Sequence, residues 1–233
     1  MNQINIQYYK TKIGELIIGS FDGSLCLLDF RYRKMRTTVD NRIRNGLKAE
    51  FVEQDDEVLI KAKKQLDEYL NGNRREFNIP LLMVGTDFQK SVWNALMKVS
   101  YGATLTYLQL AKNIDNEKAV RAVASANGAN SIGLIIPCHR IIGSDGELVG
   151  YGGGLPVKKR LLKLEQSNTV VLSDDEKYNF IGSRDARYDG VFFTAVKTTG
   201  VYCLPSCSVK KPNREHVIFY NTKRNFQDLP EEG

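Results

Sequence analysis

The chain has 233 residues, 42% of them hydrophobic and 26% charged, with a formal net charge of +6 and four cysteines. That length and balance suit a globular protein with a sizeable buried core and exclude a chain too polar to collapse. No apolar run nears the roughly 18 residues a membrane span needs, the N-terminus MNQINIQYYK has neither apolar core nor cleavage site of a signal peptide, and Cys26, Cys138, Cys203 and Cys207 are too unevenly spaced for a secreted disulfide framework.

A cytoplasmic protein with free thiols and no membrane partner is therefore expected. The positive charge is concentrated: residues 86–172 hold 10 basic and 6 acidic side chains, whereas residues 173–233 hold 9 of each. A basic middle segment fits a nucleic-acid partner, although a global excess is a weak signal alone.

In chain order, residues 4–30 read as an antiparallel meander: INIQYY, a turn at Lys12 to Gly14, ELIIGS, a turn at Asp22-Gly23, then SLCLLDF. Arg31 to Lys48 reads as basic and irregular. From Glu57 to Leu70, Val58, Leu59, Ala62, Leu66 and Tyr69 recur at helical spacing, and Asn71-Gly72 supplies a stop. No reactive cluster stands out in this part, which reads as a structural scaffold.

From Thr86 onward the sequence changes to short helices with explicit start signals. Thr86 to Gln89 and Thr106 to Gln109 both fit capping boxes; the first opens a helix with a Phe88, Val92, Leu96 stripe, and the second a short helix through Lys112. A third helix is expected from Glu117 to Ala126, completing a helix-turn-helix. Its Ala119, Ala122, Val123 and Ala126 fall on one small-residue face, and Arg121 protrudes from the other, where it suits a nucleic-acid groove as well as solvent.

The apolar run Ile132 to Ile136 reads as a buried strand ended by Pro137, with Cys138, His139 and Arg140 just beyond it. Adjacent side chains on an extended strand point to opposite faces, so His139 reaches Cys138 only through a turn or a bridging water. In the next helix Pro156 suits the first helical position, and Val157, Leu161, Leu162 and Glu165 share a stripe. A carboxylate on an apolar face needs a partner, and orienting a histidine is one solution.

Together these residues resemble the O-6-alkylguanine-DNA alkyltransferases. The resemblance rests on Gly85 to Gln89, Val92-Trp93, Tyr101-Gly102, Thr106-Tyr107, Arg121 to Val123, Ala126 to Gly128, Ile136-Pro137-Cys138-His139-Arg140, Gly150-Tyr151 and Leu161 to Glu165. It is dense from residue 85 and weaker before it. It implies an α+β chain: an RNase H-like N-terminal sheet domain (1–84), then a winged helix-turn-helix methyltransferase domain (85–167).

By the same resemblance Cys138 is the alkyl acceptor, His139 its water-mediated base, Glu165 the group orienting His139, and Asn130 the hinge tying them to the helix-turn-helix. Arg121 resembles the finger that fills the gap left by the flipped guanine, and Tyr107 the residue that rotates the nucleotide and protonates the leaving base. Tyr151 with Gly150 and Gly152 to Gly154 shapes the pocket loop. The implied substrate is O-6-alkylguanine in duplex DNA, with O-4-methylthymine left open; the implied protein is a monomeric, single-turnover transferase needing no cofactor or metal. A noncatalytic lesion-binding or regulatory winged-helix protein is the alternative. Ala124 departs from the glycine usual in the family.

After an expected linker (168–176), Arg184 to Gly190 and Thr198 to Cys207 resemble the zinc-binding domain of the adaptive-response regulator Ada, in truncated form (177–233). Cys203 matches the first of that domain's four ligands, but only Cys207 follows it. Half a tetrahedral site gives an expectation of no zinc and partial disorder.

Overall fold

The computed structural model describes residues 2–167, 174–182, 192–208 and 210–220, which fall in two compact units, 1–168 and 169–233. The expected meander forms strands β1 (Asn2–Thr11), β2 (Gly14–Phe21) and β3 (Ser24–Phe30). Asp22 and Gly23 both take positive φ at the tight β2–β3 turn. One feature departs from simple alternation: Gly19 pairs with Leu27 and Ser20 with Leu25, so Cys26 is an extra residue in β3. This bulge switches the strand's phase and leaves Leu25 and Leu28 in one core, Cys26 and Leu27 in the other.

Residues 31–48, expected to be irregular, contain helix α1 (Arg36–Leu47), whose buried Val39 and Ile43 cover one sheet face. Two apolar residues four apart were too faint a stripe among so many charges. Strand β4 (Ala49–Glu53), also unread, lies parallel to β1 and completes the order β3-β2-β1-β4. Helix α2 (Glu57–Leu70) covers the other face through Leu59, Ala62, Leu66 and Tyr69. Its start is set by Asp56, which accepts from the Leu59 amide at 2.9 Å.

Both capping boxes are present, opening α3 (Asp87–Leu96) and α4 (Tyr107–Lys112). The third helix is shorter and later than expected: Glu117–Ala119 is a 3-10 turn, followed by α5 (Val120–Gly128). Its buried side is Val123, Ala126 and Asn127, while Ala122 is exposed. Of the expected small-residue face, Val123 and Ala126 are buried and Ala119 is half-buried, while Asn127 takes the buried place expected of Ala122. Strands β5 (Leu105–Thr106) and β6 (Ile141–Ile142) pair in parallel, and α6 (Leu155–Ser167) closes the unit.

The run Ile132 to Ile136 is not a strand. It is a buried turn with Leu134 at φ +68°. Its backbone groups are met without a ladder: the Leu28 amide donates to the Ser131 carbonyl at 2.8 Å and the Gly133 amide to the Leu28 carbonyl at 2.7 Å. The apolar run reflects burial against the β3 edge, which periodicity does not distinguish from a strand.

In the second unit the described residues form α7 (Asp174–Phe180) and a sheet of β7 (Phe193–Val196), β8 (Val201–Cys203) and β9 (Val217–Tyr220), in the order β8-β7-β9. Helix α7 begins inside the expected linker. Phe192, Phe193, Ala195, Cys203 and Val217 are buried. The stretch Arg184 to Gly190 lies outside the described residues. No helix among the described residues is long and apolar enough to cross a membrane.

Candidate active site

Pro137 ends the buried turn, and Cys138–Arg140 winds into a 3-10 turn that places three consecutive side chains in the interior. Cys138 is 8% exposed and His139 fully buried. A 3-10 turn, not an extended strand, carries the thiol and the imidazole, and both are buried.

Glu165, on the inward stripe of α6, is the hub. Its carboxylate accepts from His139 Nε2 at 3.0 Å, Arg140 Nη2 at 2.8 Å, Arg140 Nε at 2.9 Å, the Gly102 amide at 3.0 Å and the Tyr69 hydroxyl at 2.5 Å. Burial works against the charge, but the bonds from His139 and Arg140 hold Glu165 well below the usual carboxylate range. An ionised carboxylate only accepts, so Nε2 carries the imidazole proton and Nδ1 bears the lone pair. Nδ1 is buried and has no hydrogen-bond partner among the described residues, which leaves it free to take a proton. Burial pushes the His139 pKa down against the pull of Glu165, with Arg140 and Lys158 adding to the depression.

Asn130 ties the cysteine turn together. Its amide nitrogen donates to the Ile136 carbonyl at 2.8 Å and its oxygen accepts from the Ile132 amide at 2.9 Å. Burial raises the Cys138 pKa, while Asn130 lowers it. The resting group is thus a thiol that needs a base to become a nucleophile.

Cys138 opens onto a cavity of about 530 Å³ that also presents Tyr107, Asn130, Ala124, Tyr151 and the glycines at 150 and 152–154. Tyr107, the first residue of α4, accepts a hydrogen bond from Asn127 Nδ2 at 3.4 Å. Its pKa is raised by burial and by the nearby Cys138. Tyr151 meets Phe30 edge-on at 5.7 Å and His139 at 6.2 Å. Gly153 must be glycine here, since a Cβ would stand 2.5 Å from the Phe30 ring. Ala124 is half-buried on the cavity wall. Arg121 is exposed on α5, away from the buried side, as expected.

Three contributors went unread in the sequence. Lys158 is fully buried and donates to the carbonyls of Ile141 and of Val149, the latter at 2.6 Å. Burial lowers its pKa to about 8. It lies three residues before Leu161 and seven before Glu165, so the helical stripe itself carried the signal. Tyr69 was visible only as an apolar position. Arg33 had no periodic signal at all: it bonds Asp29 at 2.6 Å and the Asn130 carbonyl at 3.0 Å. The N-terminal sheet, read as scaffold alone, also supplies Asp29, Phe30 and Tyr32 to Met35 to the cavity wall.

Residues 87–167 match the family model described as the DNA-binding domain of 6-O-methylguanine DNA methyltransferase, and residues 4–83 match its ribonuclease-like domain. A methylated-DNA–protein-cysteine methyltransferase of Methanosarcina acetivorans is 42% identical over 159 residues, covering 68% of this chain and 96% of that one. This chain belongs to that family. The methylated-DNA–protein-cysteine methyltransferase of Haemophilus influenzae is 40% identical over 168 residues, covering 71% of this chain and 88% of the relative. Among solved structures, Mycobacterium tuberculosis OGT in complex with DNA aligns with a TM-score of 0.60 and 36% identity, covering 71% of this chain and 94% of that chain. The methyltransferase match leaves the second unit aside.

Residues 176–227 match the metal-binding domain of Ada. The described residues do not fit a four-ligand zinc ion. The chain has four cysteines and two histidines in all, and among the described residues no three His, Cys, Asp or Glu side chains converge. Cys203 is buried on β8 and Cys207 half-buried beyond it. Two thiols supply half of a tetrahedral site.

Proposed function

We propose that this protein repairs alkylated duplex DNA by moving the alkyl group from O6 of a guanine onto Cys138. The observation that carries the reading is the buried His139–Glu165 pair, with His139 next in the chain to Cys138, which lines a cavity of about 530 Å³. The thiol proton passes through a water to His139 Nδ1, and the sulfur attacks the alkyl carbon. The carbon–oxygen bond breaks with its electron pair going to the guanine, which takes up a proton aided by the Tyr107 hydroxyl. Imidazolium forming beside Glu165 is stabilised by that carboxylate.

An alkyl carbon must meet the sulfur in line, which is impossible inside the base stack, so the nucleotide is turned out and Arg121 occupies the gap. The resulting thioether has no good leaving group, and the protein is consumed in one turnover. In this reading residues 1–84 buttress the site and residues 85–167 carry it.

Incubation with duplex DNA containing O-6-methylguanine, followed by peptide mass mapping, is expected to place one methyl on Cys138. An intact fold with no adduct there would reject the proposal. A Cys138→Ala variant that still binds the lesion separates recognition from chemistry.

A further inference from the structure

The hydroxyl of Tyr69 bonds the Glu165 carboxylate and takes no part in the transfer chemistry itself. Tyr69 sits near the end of α2, in the N-terminal sheet domain, 96 residues from the carboxylate it meets. Its ring is fully buried, 5.2 Å from Phe77 and edge-on to Tyr101 at 6.1 Å. That packing leaves the hydroxyl little freedom. It donates to Glu165 Oε1 at 2.5 Å, the same oxygen that accepts from His139 Nε2, and lies 3.4 Å from that nitrogen.

We propose that Tyr69 is a positioning residue of the transfer relay, whose hydroxyl fixes the Glu165 carboxylate against His139 and takes up part of its charge, so that the imidazole stands ready to accept the Cys138 proton. The inference rests on the reading of His139 as the base. A lone buried carboxylate bonded to imidazole draws a proton onto the ring, and a protonated ring is no base. Sharing Oε1 between Tyr69 and His139 weakens that draw. Arg140 acts in the same sense from the cysteine turn, through both carboxylate oxygens.

The other groups facing the pair differ in charge. Lys158 of α6, a cation below its lowered pKa of about 8, disfavours a second positive charge on His139. Cys138 and Tyr151 are uncharged at rest, their pKa values raised by burial. Tyr101 packs on Tyr69 and faces the Arg140 guanidinium at 5.7 Å. Tyr69 reaches the relay from the N-terminal domain by a side-chain hydrogen bond to Glu165.

The test is the single-turnover rate of methyl transfer to Cys138 as a function of pH, in the full chain, for the wild type and Tyr69→Phe. The rate rises with pH as His139 loses its proton. Removing the hydroxyl leaves more carboxylate charge on the imidazole and moves that rise to higher pH by about half a unit, roughly a threefold loss on the acid side that closes at higher pH. Incorporating 3-fluorotyrosine at position 69, a stronger donor, moves the rise the other way and decides the matter if the phenylalanine variant folds poorly. Superimposable profiles, or a loss by one factor at every pH, would overturn the proposal. If the wild type itself places no methyl on Cys138, the functional reading fails instead, so the two failures are distinct.

Discussion

The guanidinium of Arg33, in the segment after β3, donates to the main-chain carbonyl of Asn130 at 3.0 Å and to that of Gly128 at 2.5 Å, while its charge is met by Asp29. Arg42 of α1 reaches the intervening Ala129 carbonyl at 2.7 Å. The end of the helix carrying Arg121 is thereby pinned to the sheet domain at three successive carbonyls. Arg33→Leu is expected to lower stability by about 2 to 3 kcal/mol, less than the full cost of breaking a buried ion pair because Arg36 still faces Asp29 at 2.9 Å. Transfer slows as Asn130 loses its anchor. Denaturant unfolding and single-turnover kinetics measure the two effects.

Glu165→Gln leaves the buried Arg140 without its anion, and a loss of about 3 to 5 kcal/mol is expected at neutral pH. The Glu165 pKa is depressed in the fold, so its contribution is present above the unfolded-state value of about 4.3 and is lost as pH falls below it. Acid unfolding of the wild type should therefore steepen below about pH 4.3, and the variant should lack that component. Equal acid sensitivity in the two proteins would contradict the assignment.

Lys158→Met removes both bonds that tie α6 to the Ile141 and Val149 carbonyls, costing about 2 kcal/mol near neutrality. The wild-type lysine has its pKa lowered to about 8 in the fold, against about 10.4 when unfolded. Between those values the unfolded chain holds more protons, so this residue's contribution to stability grows with rising pH. The gap between wild type and variant is expected to widen across that window, as thermal unfolding at a series of pH values would register.

Arg121 is exposed, and Arg121→Ala should change stability by no more than about 0.5 kcal/mol. Transfer from a lesion in duplex DNA should fall by about tenfold or more, since nothing then holds the gap open. Transfer from the free modified base, which needs no flipping, should be unaffected. Equal losses on both substrates would place Arg121 in a different role.

The second unit should fold without zinc. Metal analysis of the purified chain is expected to find well below one zinc per chain, with the unfolding midpoint insensitive to chelators. About one zinc per chain retained on gel filtration would mean that further ligands reach Cys203 and Cys207.

Much of the site was readable in the chain because its signals are local. The two capping boxes announce α3 and α4, Pro137-Cys138-His139-Arg140 marks the reactive turn, and Glu165 stands out as a carboxylate on an apolar helical stripe. Lys158 shares that stripe and was legible by the same logic. The turn at Ile132 to Ile136 was misread because an apolar run reports burial and leaves the backbone path open.

What the sequence by itself determined is the inventory of chemistry: a thiol, an imidazole and a carboxylate on elements whose boundaries are written in nearby residues. Tertiary structure alone decided who supports them. Tyr69 and Arg33 meet Glu165 and Asn130 across 96 and 97 residues, and no periodicity within either segment encodes that distance. Such contacts arise because the β3 edge and α2 pack against the reactive half, where buried polar groups must find partners wherever the fold brings them.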